Sequence, residues 1–293
     1  MGIIKENFIE KNSPIFVISD LHIGSGGKMD NFNSRKTNLL MHFLDYIEKT
    51  QGKLIIIGDL LELWHCGLDE ILSFHKELFA RLNQTDFTYI LGNHDEELAE
   101  MTRNRQADLP ILSRIKSPEI INIAGKNFKF MHGHEVDPFI RKKSKTICRV
   151  FNPILDVFGL GSNCDTLVYD IFSDIALEVG EAAIVIWSKL RELLKKAADD
   201  CWAAIPNEQV AFLKRFGRTK NMLKRYREDL NAGLYDIAIV GHTHNAGRAD
   251  KWYYNSGSWT GHKSDYLCIL PDGNIEVYNY SLNGPKPNDT LIR

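Results

Sequence analysis

The chain has 293 residues, 44% of them hydrophobic, enough to bury a large core as one big domain or two small ones. Its 36 basic and 38 acidic residues nearly cancel, so the molecule as a whole is not an evident nucleic-acid binder. Cys66, Cys148, Cys164, Cys201 and Cys268 form no CxxC pair, which argues against a disulfide framework or a zinc ribbon. With no secretory-type apolar N-terminus and no apolar run of about eighteen residues, the expectation is a soluble cytoplasmic protein.

In chain order, residues 15–19 (IFVIS) read as the first strand, short, β-branched and ending in the polar cluster "SDLHIG" with Asp20 and His22. Apolar residues at three-to-four spacing predict a helix over 38–49. A second strand over 54–57 (LIII) runs into "GDLLELW", which carries Asp59 and Glu62. Another amphipathic helix is predicted over 68–82. The strand at 87–91 (FTYIL) then stops at "GNHDEE", with Asn93, His94 and Asp95. "FMHGHEVD" follows a further apolar run and holds His132, His134 and Asp137. Alternation of this kind predicts parallel βαβ units, with ligands beyond the carboxyl ends of the strands.

No strand-like cluster follows between Asp137 and Leu230. Residues 168–197 instead show helical spacing and include the nearly all-apolar "AAIVIW". The stretch "KRFGRTKNMLKRYR" then brings basic residues without an acidic one. It reads either as a solvated helix face or as a basic lip that draws an anionic substrate. The last strand-like run, "YDIAIV", ends in "GHTHNAG". Its His242 and His244, at i and i+2, would point to one side of an extended backbone. The tail over 285–293 reads as flexible.

Singly, DxH or GD is an ordinary strand end or turn. Five clusters of carboxylate, imidazole and amide, each after a predicted strand, are a different matter. Gathered at one sheet edge they would form a mixed N/O shell for divalent ions, with ligands enough for a pair sharing a carboxylate.

The series DxH, GDxxE, GNHD, HGH and GHTH resembles the calcineurin-like metallophosphoesterase superfamily over roughly residues 14–135 and 235–260. The resemblance implies an α/β fold of two mixed β-sheets packed as a sandwich flanked by helices, with an inserted helical cap. The core would comprise residues 1–137 and 231–284, and the cap 138–230. It further implies that Asp20, His22 and His244 hold one ion, Asn93, His132 and His242 a second, and that Asp59 bridges them. His94 would be the catalytic histidine, oriented by Asp95. Manganese is the first expectation for both ions, with iron or zinc as alternatives.

"GDLLELW" is similar to the second motif of UDP-2,3-diacylglucosamine pyrophosphohydrolases of lipid A biosynthesis. Those enzymes carry Arg where this chain has His94, and usually Asp where it has His134. The implied activity is hydrolysis of a phosphodiester or pyrophosphate, with a lipid-linked nucleotide as substrate and peripheral contact with an anionic membrane. The alternatives are a less selective phosphodiesterase or phosphomonoesterase, including one acting on nucleic acid, and a metal-binding scaffold. Arg141, Lys220, Lys224, Arg225, Arg227 and Trp259 are the candidate substrate residues.

Overall fold

The computed structural model describes residues 13–27, 30, 32–64, 66–104, 109–137, 222–288 and 290–292. Along the chain lie β1 (Ile15–Ile18), α1 (Ser34–Lys49), β2 (Lys53–Ile57), α2 (Leu68–Phe74), α3 (Lys76–Gln84), β3 (Phe87–Ile90), α4 (Leu98–Asn104), α5 (Pro110–Ser113), β4 (Ile115–Lys116), β5 (Glu119–Ile123) and β6 (Lys126–Phe130). A 3-10 turn over His134–Val136 follows. After it come α6 (residues 222–231), β7 (Ile237–Val240), β8 (Gly247–Asp250), β9 (Tyr253–Asn255), β10 (Asp265–Ile269), β11 (Ile275–Ser281) and β12 (Gly284–Pro287).

The strands form two mixed sheets, ordered β12-β11-β10-β1-β2-β3-β4 and β5-β6-β7-β9-β8. β1 to β4 run parallel, as do β6, β7 and β9, and the remaining strands pair antiparallel. β1 shows why its sequence is apolar throughout. Phe16 and Ile18 pack with Leu40, Phe43 and Leu44 of α1, while Ile15 and Val17 pack with Phe128, Phe130 and Ile239 of the other sheet. Both faces of the strand are therefore buried, the usual state of a parallel sheet. Each such side chain contributes about 1.5–3 kcal/mol relative to exposure.

Three expectations need correction. α1 starts at Ser34, four residues before the apolar spacing begins, because Asn33 caps it and accepts from Lys36 N at 3.2 Å. The helix predicted over 68–82 is two, broken at His75 (φ −107°, ψ 38°), whose Nδ1 lies 3.3 Å from Thr37 Oγ1. The tail is not loose: β12 pairs with β11, and Ile292 N donates to Arg248 O at 2.7 Å.

The chain divides into two compact units, Met1–Val136 with Arg225–Arg293, and Asp137–Lys224. The helical spacing of 168–197 and the first part of the basic stretch fall outside the described residues. Among the described residues no helix is long and apolar enough to cross a membrane.

Candidate metal centre

All five polar clusters sit where β1, β2, β3, β6 and β7 end, and backbone bonds tie their loops together. His22 N donates to Asp59 O at 2.9 Å, Gly241 N to His132 O at 2.8 Å, and Trp259 N to Asp20 O at 3.0 Å. The backbone itself is unusual there. Asp20, His22, Asp59, His242 and His244 all have φ between +49° and +68°, and only Gln51 and Ala124 share this among the described non-glycine residues. A left-handed conformation costs an L-residue about 1–2 kcal/mol, and such outliers cluster at functional sites. The turn also overturns the extended-strand picture of His242 and His244: the two imidazoles diverge into separate clusters.

The first cluster is Asp20, His22 and His244; the second is Asp59, His132 and His242. His244 Nε2 lies 3.0 Å from Asp20 Oδ1 and 3.4 Å from His22 Nε2. Asp59 Oδ2 stands between the clusters, 3.0 Å from His132 Nε2 and 3.8 Å from His22 Nε2. His132 Nδ1 donates to Ile57 O at 2.8 Å, so in the neutral ring Nε2 is a lone pair facing a carboxylate. Two acceptors at that distance call for a cation between them. Asp20 Oδ1, Asn93 Oδ1 and His132 Nε2 are buried without a hydrogen bond of sound geometry, which native interiors rarely leave unexplained. The donor set fits two divalent ions of the manganese, iron or zinc kind.

The charges agree. Burial alone would raise the carboxyls of Asp20 and Asp59, yet the surrounding imidazoles hold both well below the usual carboxylate range. Burial opposes charge on His132 and His22, but Asp59 and Asp20 push His132 up to about 10, and Glu62 with Asp59 pushes His22 up to about 9. Burial draws His244 below its ordinary value against the pull of Asp20. The pocket is thus a concentration of negative charge that protons or metal ions must balance.

His94 is brought to the same place, but its partner differs from the expected one. Its Nδ1 lies 2.8–2.9 Å from both carboxylate oxygens of Glu62, whose Oε2 also lies 2.9 Å from His22 Nδ1. Asp95 points away. Its buried carboxylate accepts from Gly92 N and Leu60 N at 2.7 Å, from Leu61 N at 3.3 Å, and from the Tyr89 hydroxyl. Burial and the charge of Asp59 raise its carboxyl to about 6. Asp95 therefore staples the loop after β2 to the loop after β3, and Glu62 orients His94. Trp64 lies flat on His94, with ring centroids 3.9 Å apart and planes at 17°.

Residues beyond the clusters complete the support. Ser19 Oγ bonds Asp20 and lies 2.7 Å from Ser256 Oγ, and His242 N donates to Asp20 Oδ2 at 2.9 Å. Asn255 Nδ2 donates to Gly241 O at 2.6 Å and to Thr243 Oγ1 at 3.1 Å. Gly92 has no substitute: a β-carbon there would lie 2.1 Å from Asp59 Oδ1. Ser19, Asn255 and Ser256 went unread in the sequence. Their one signal was position, a polar residue closing each of two buried strands.

The candidate substrate residues fare differently. Trp259 is in the core, fully buried against Phe43 with Nε1 donating to Asp265 O at 2.8 Å, and cannot touch a substrate. Arg227 lies over Trp252, 5.4 Å from its ring centroid, and 3.9 Å from Asp250. Tyr253, next to Trp252, pairs with Ala238, whereas Asn255 pairs with Val240 beside the histidines. Arg227 thus faces the end of the sheet away from the clusters. Arg225 and Lys224 are exposed, while Arg141 and Lys220 lie outside the described residues.

A family model described as calcineurin-like phosphoesterase matches residues 13–246. No curated protein matches the chain. Among solved structures, vacuolar protein sorting 29 from Cryptosporidium parvum is 12% identical, with a TM-score of 0.39 over 94% of this chain and 96% of that one. A protein of unknown function from Aquifex aeolicus is 19% identical, with a TM-score of 0.30 over 50% of this chain and 75% of that one.

Proposed function

The chain belongs to the calcineurin-like phosphoesterase family of metal-dependent hydrolases, and from that premise we propose that it cleaves a phosphodiester or pyrophosphate bond with His94 as the proton donor. The observation that carries the reading is Asp59 Oδ2 set between two ligand clusters, beside a histidine whose Nδ1 is already taken by Glu62. Asp20, His22 and His244 would hold one ion, Asn93, His132 and His242 the other, and Asp59 both. Two divalent ions there supply Lewis acidity, neutralising phosphate oxygens and acidifying water near neutral pH.

The protein's own groups do the rest. Glu62 fixes the imidazole of His94 so that Nε2 is the atom that holds and releases a proton. As the oxygen of water bonds to phosphorus, the bond from phosphorus to the leaving oxygen breaks, and His94 protonates that oxygen. Asp95, Ser19 and Asn255 hold the loops in register, so that the ligands converge without rearrangement during turnover.

For the substrate, the likeness of "GDLLELW" to the pyrophosphohydrolases of lipid A biosynthesis favours a lipid-linked nucleotide such as UDP-2,3-diacylglucosamine. The apolar "AAIVIW" and the basic stretch over 214–227, Arg227 excepted, suit such a substrate and an anionic membrane surface. His94 and His134, where that branch carries Arg and usually Asp, favour a second reading, a less selective phosphodiesterase. Manganese-loaded protein given UDP-2,3-diacylglucosamine beside bis-p-nitrophenyl phosphate separates the two. UMP release far above the chromogenic rate supports the first. Cleavage of the chromogenic diester alone supports the second, and inertness toward both, with metal bound, defeats the hydrolase reading.

A further inference from the structure

Trp64 stands apart from the ligand set, yet among the described residues its aromatic ring meets the reactive ring most closely. Its indole lies 3.9 Å from the His94 ring, within 17° of parallel, and is itself held by a 2.8 Å bond from Nε1 to Asn93 O. Trp64 is only 3% exposed, so the indole has nowhere to swing. On another side the edge of His22 meets the same imidazole at 4.5 Å and 89°. Glu62 occupies Nδ1. A hydrogen bond at one nitrogen leaves a ring free to pivot about that bond; a flat wall against its face removes the pivot.

We propose that Trp64 is a positioning residue for His94, acting through the face of its indole to aim Nε2 at the leaving oxygen. The proposal rests on the reading of His94 as proton donor. Glu62 fixes where Nδ1 sits, Trp64 fixes the plane of the ring, and both are needed to define where Nε2 points. Misplacement of a proton donor by about 1 Å is enough to cost on the order of 10²-fold in rate.

The test compares methyl p-nitrophenyl phosphate with methyl phenyl phosphate, using manganese-loaded protein. The first leaving group departs with little help, whereas phenoxide needs a proton. Wild type, His94→Gln, Trp64→Leu and Trp64→Phe are assayed for kcat on both, with bound metal and melting temperature measured on the same samples. Loss of donor positioning should slow Trp64→Leu about 10–100-fold on the phenyl ester and less than about 3-fold on the nitrophenyl ester. Trp64→Phe keeps an aromatic face but no donor, and should keep the wild-type ratio of the two rates within about 3-fold.

Equal slowing of both esters by Trp64→Leu, or a Phe variant as selective in its defect as the Leu variant, overturns the proposal. If His94→Gln changes the ratio and Trp64→Leu does not, Trp64 alone is misassigned. If His94→Gln leaves the ratio unchanged, the donor reading itself has failed and the proposal falls with it.

Discussion

Asp59 carries more of the centre than any other side chain. One oxygen stands between the two candidate ligand clusters, and the other accepts from His94 N at 2.9 Å, so in the proposed reading metal binding and the placement of the donor would meet in one carboxylate. Asp59→Ala should therefore lose both ions rather than one; elemental analysis that still finds two per chain would remove the bridging assignment. His94→Ala should keep its metal and lose about 10²–10⁴-fold in kcat, and a variant that loses metal instead would make His94 a ligand. The candidate ligands were legible because each is a polar residue that follows a buried strand. The direction of a side chain was not. The family resemblance implied that Asp95 orients the ring of His94, but the loop turns its carboxylate to the amides of Gly92 and Leu60. Glu62, three residues beyond Asp59, was read as part of a cluster and given no role, since only the folded loops bring it to His94 and His22 together.

At the scale of elements, the parallel strands were visible in short β-branched runs buried on both faces, and their ends marked where the chemistry would be. Boundaries set by single side chains were harder: Asn33 caps α1 through its side chain, and His75, at the break, reaches across to Thr37. β12 was missed because "GPKP" looks like a chain end, and only its pairing with β11 makes it a strand. The connection between elements that matters most is the Asp95 staple. Asp95→Ala would leave the amides of Leu60 and Gly92 and the Tyr89 hydroxyl without their acceptor, each at about 1–3 kcal/mol. The expected result is a loss of about 3 kcal/mol or more in denaturant unfolding, together with weaker metal retention on dialysis. Unchanged metal affinity in a destabilised variant would mean that the β2 and β3 loops hold their places without it.

For the whole molecule, the centre is a pH-sensitive load. In metal-free protein, His132 and His22 have values raised to about 10 and about 9, so the stability they contribute is full below about 6.5 and fades as pH climbs through 9 and 10. Asp20, Asp59 and Glu62 are depressed, so their contribution is present above about pH 4.5 and is lost as pH falls below it. Chelated protein should accordingly melt highest between about pH 4.5 and 6.5 and lower toward pH 10. Manganese-loaded protein, where ions take the place of those protons, should hold its melting temperature over the alkaline part of that range. Calorimetric scans with and without chelator would show this as a gap that widens with pH, and parallel curves would contradict it. The left-handed backbone at Asp20, His22, Asp59, His242 and His244 gives the same load a second source. Glycine, which adopts such a conformation without cost, has no side chain to offer an ion, so a chain that binds metal here must keep residues with a β-carbon at these turns. A metal that binds only the folded chain restores that loss as its concentration rises above its dissociation constant. How long a molecule survives proteolysis would then follow the supply of the ion, and scarcity would thin the population of this protein before it slowed the molecules that remain.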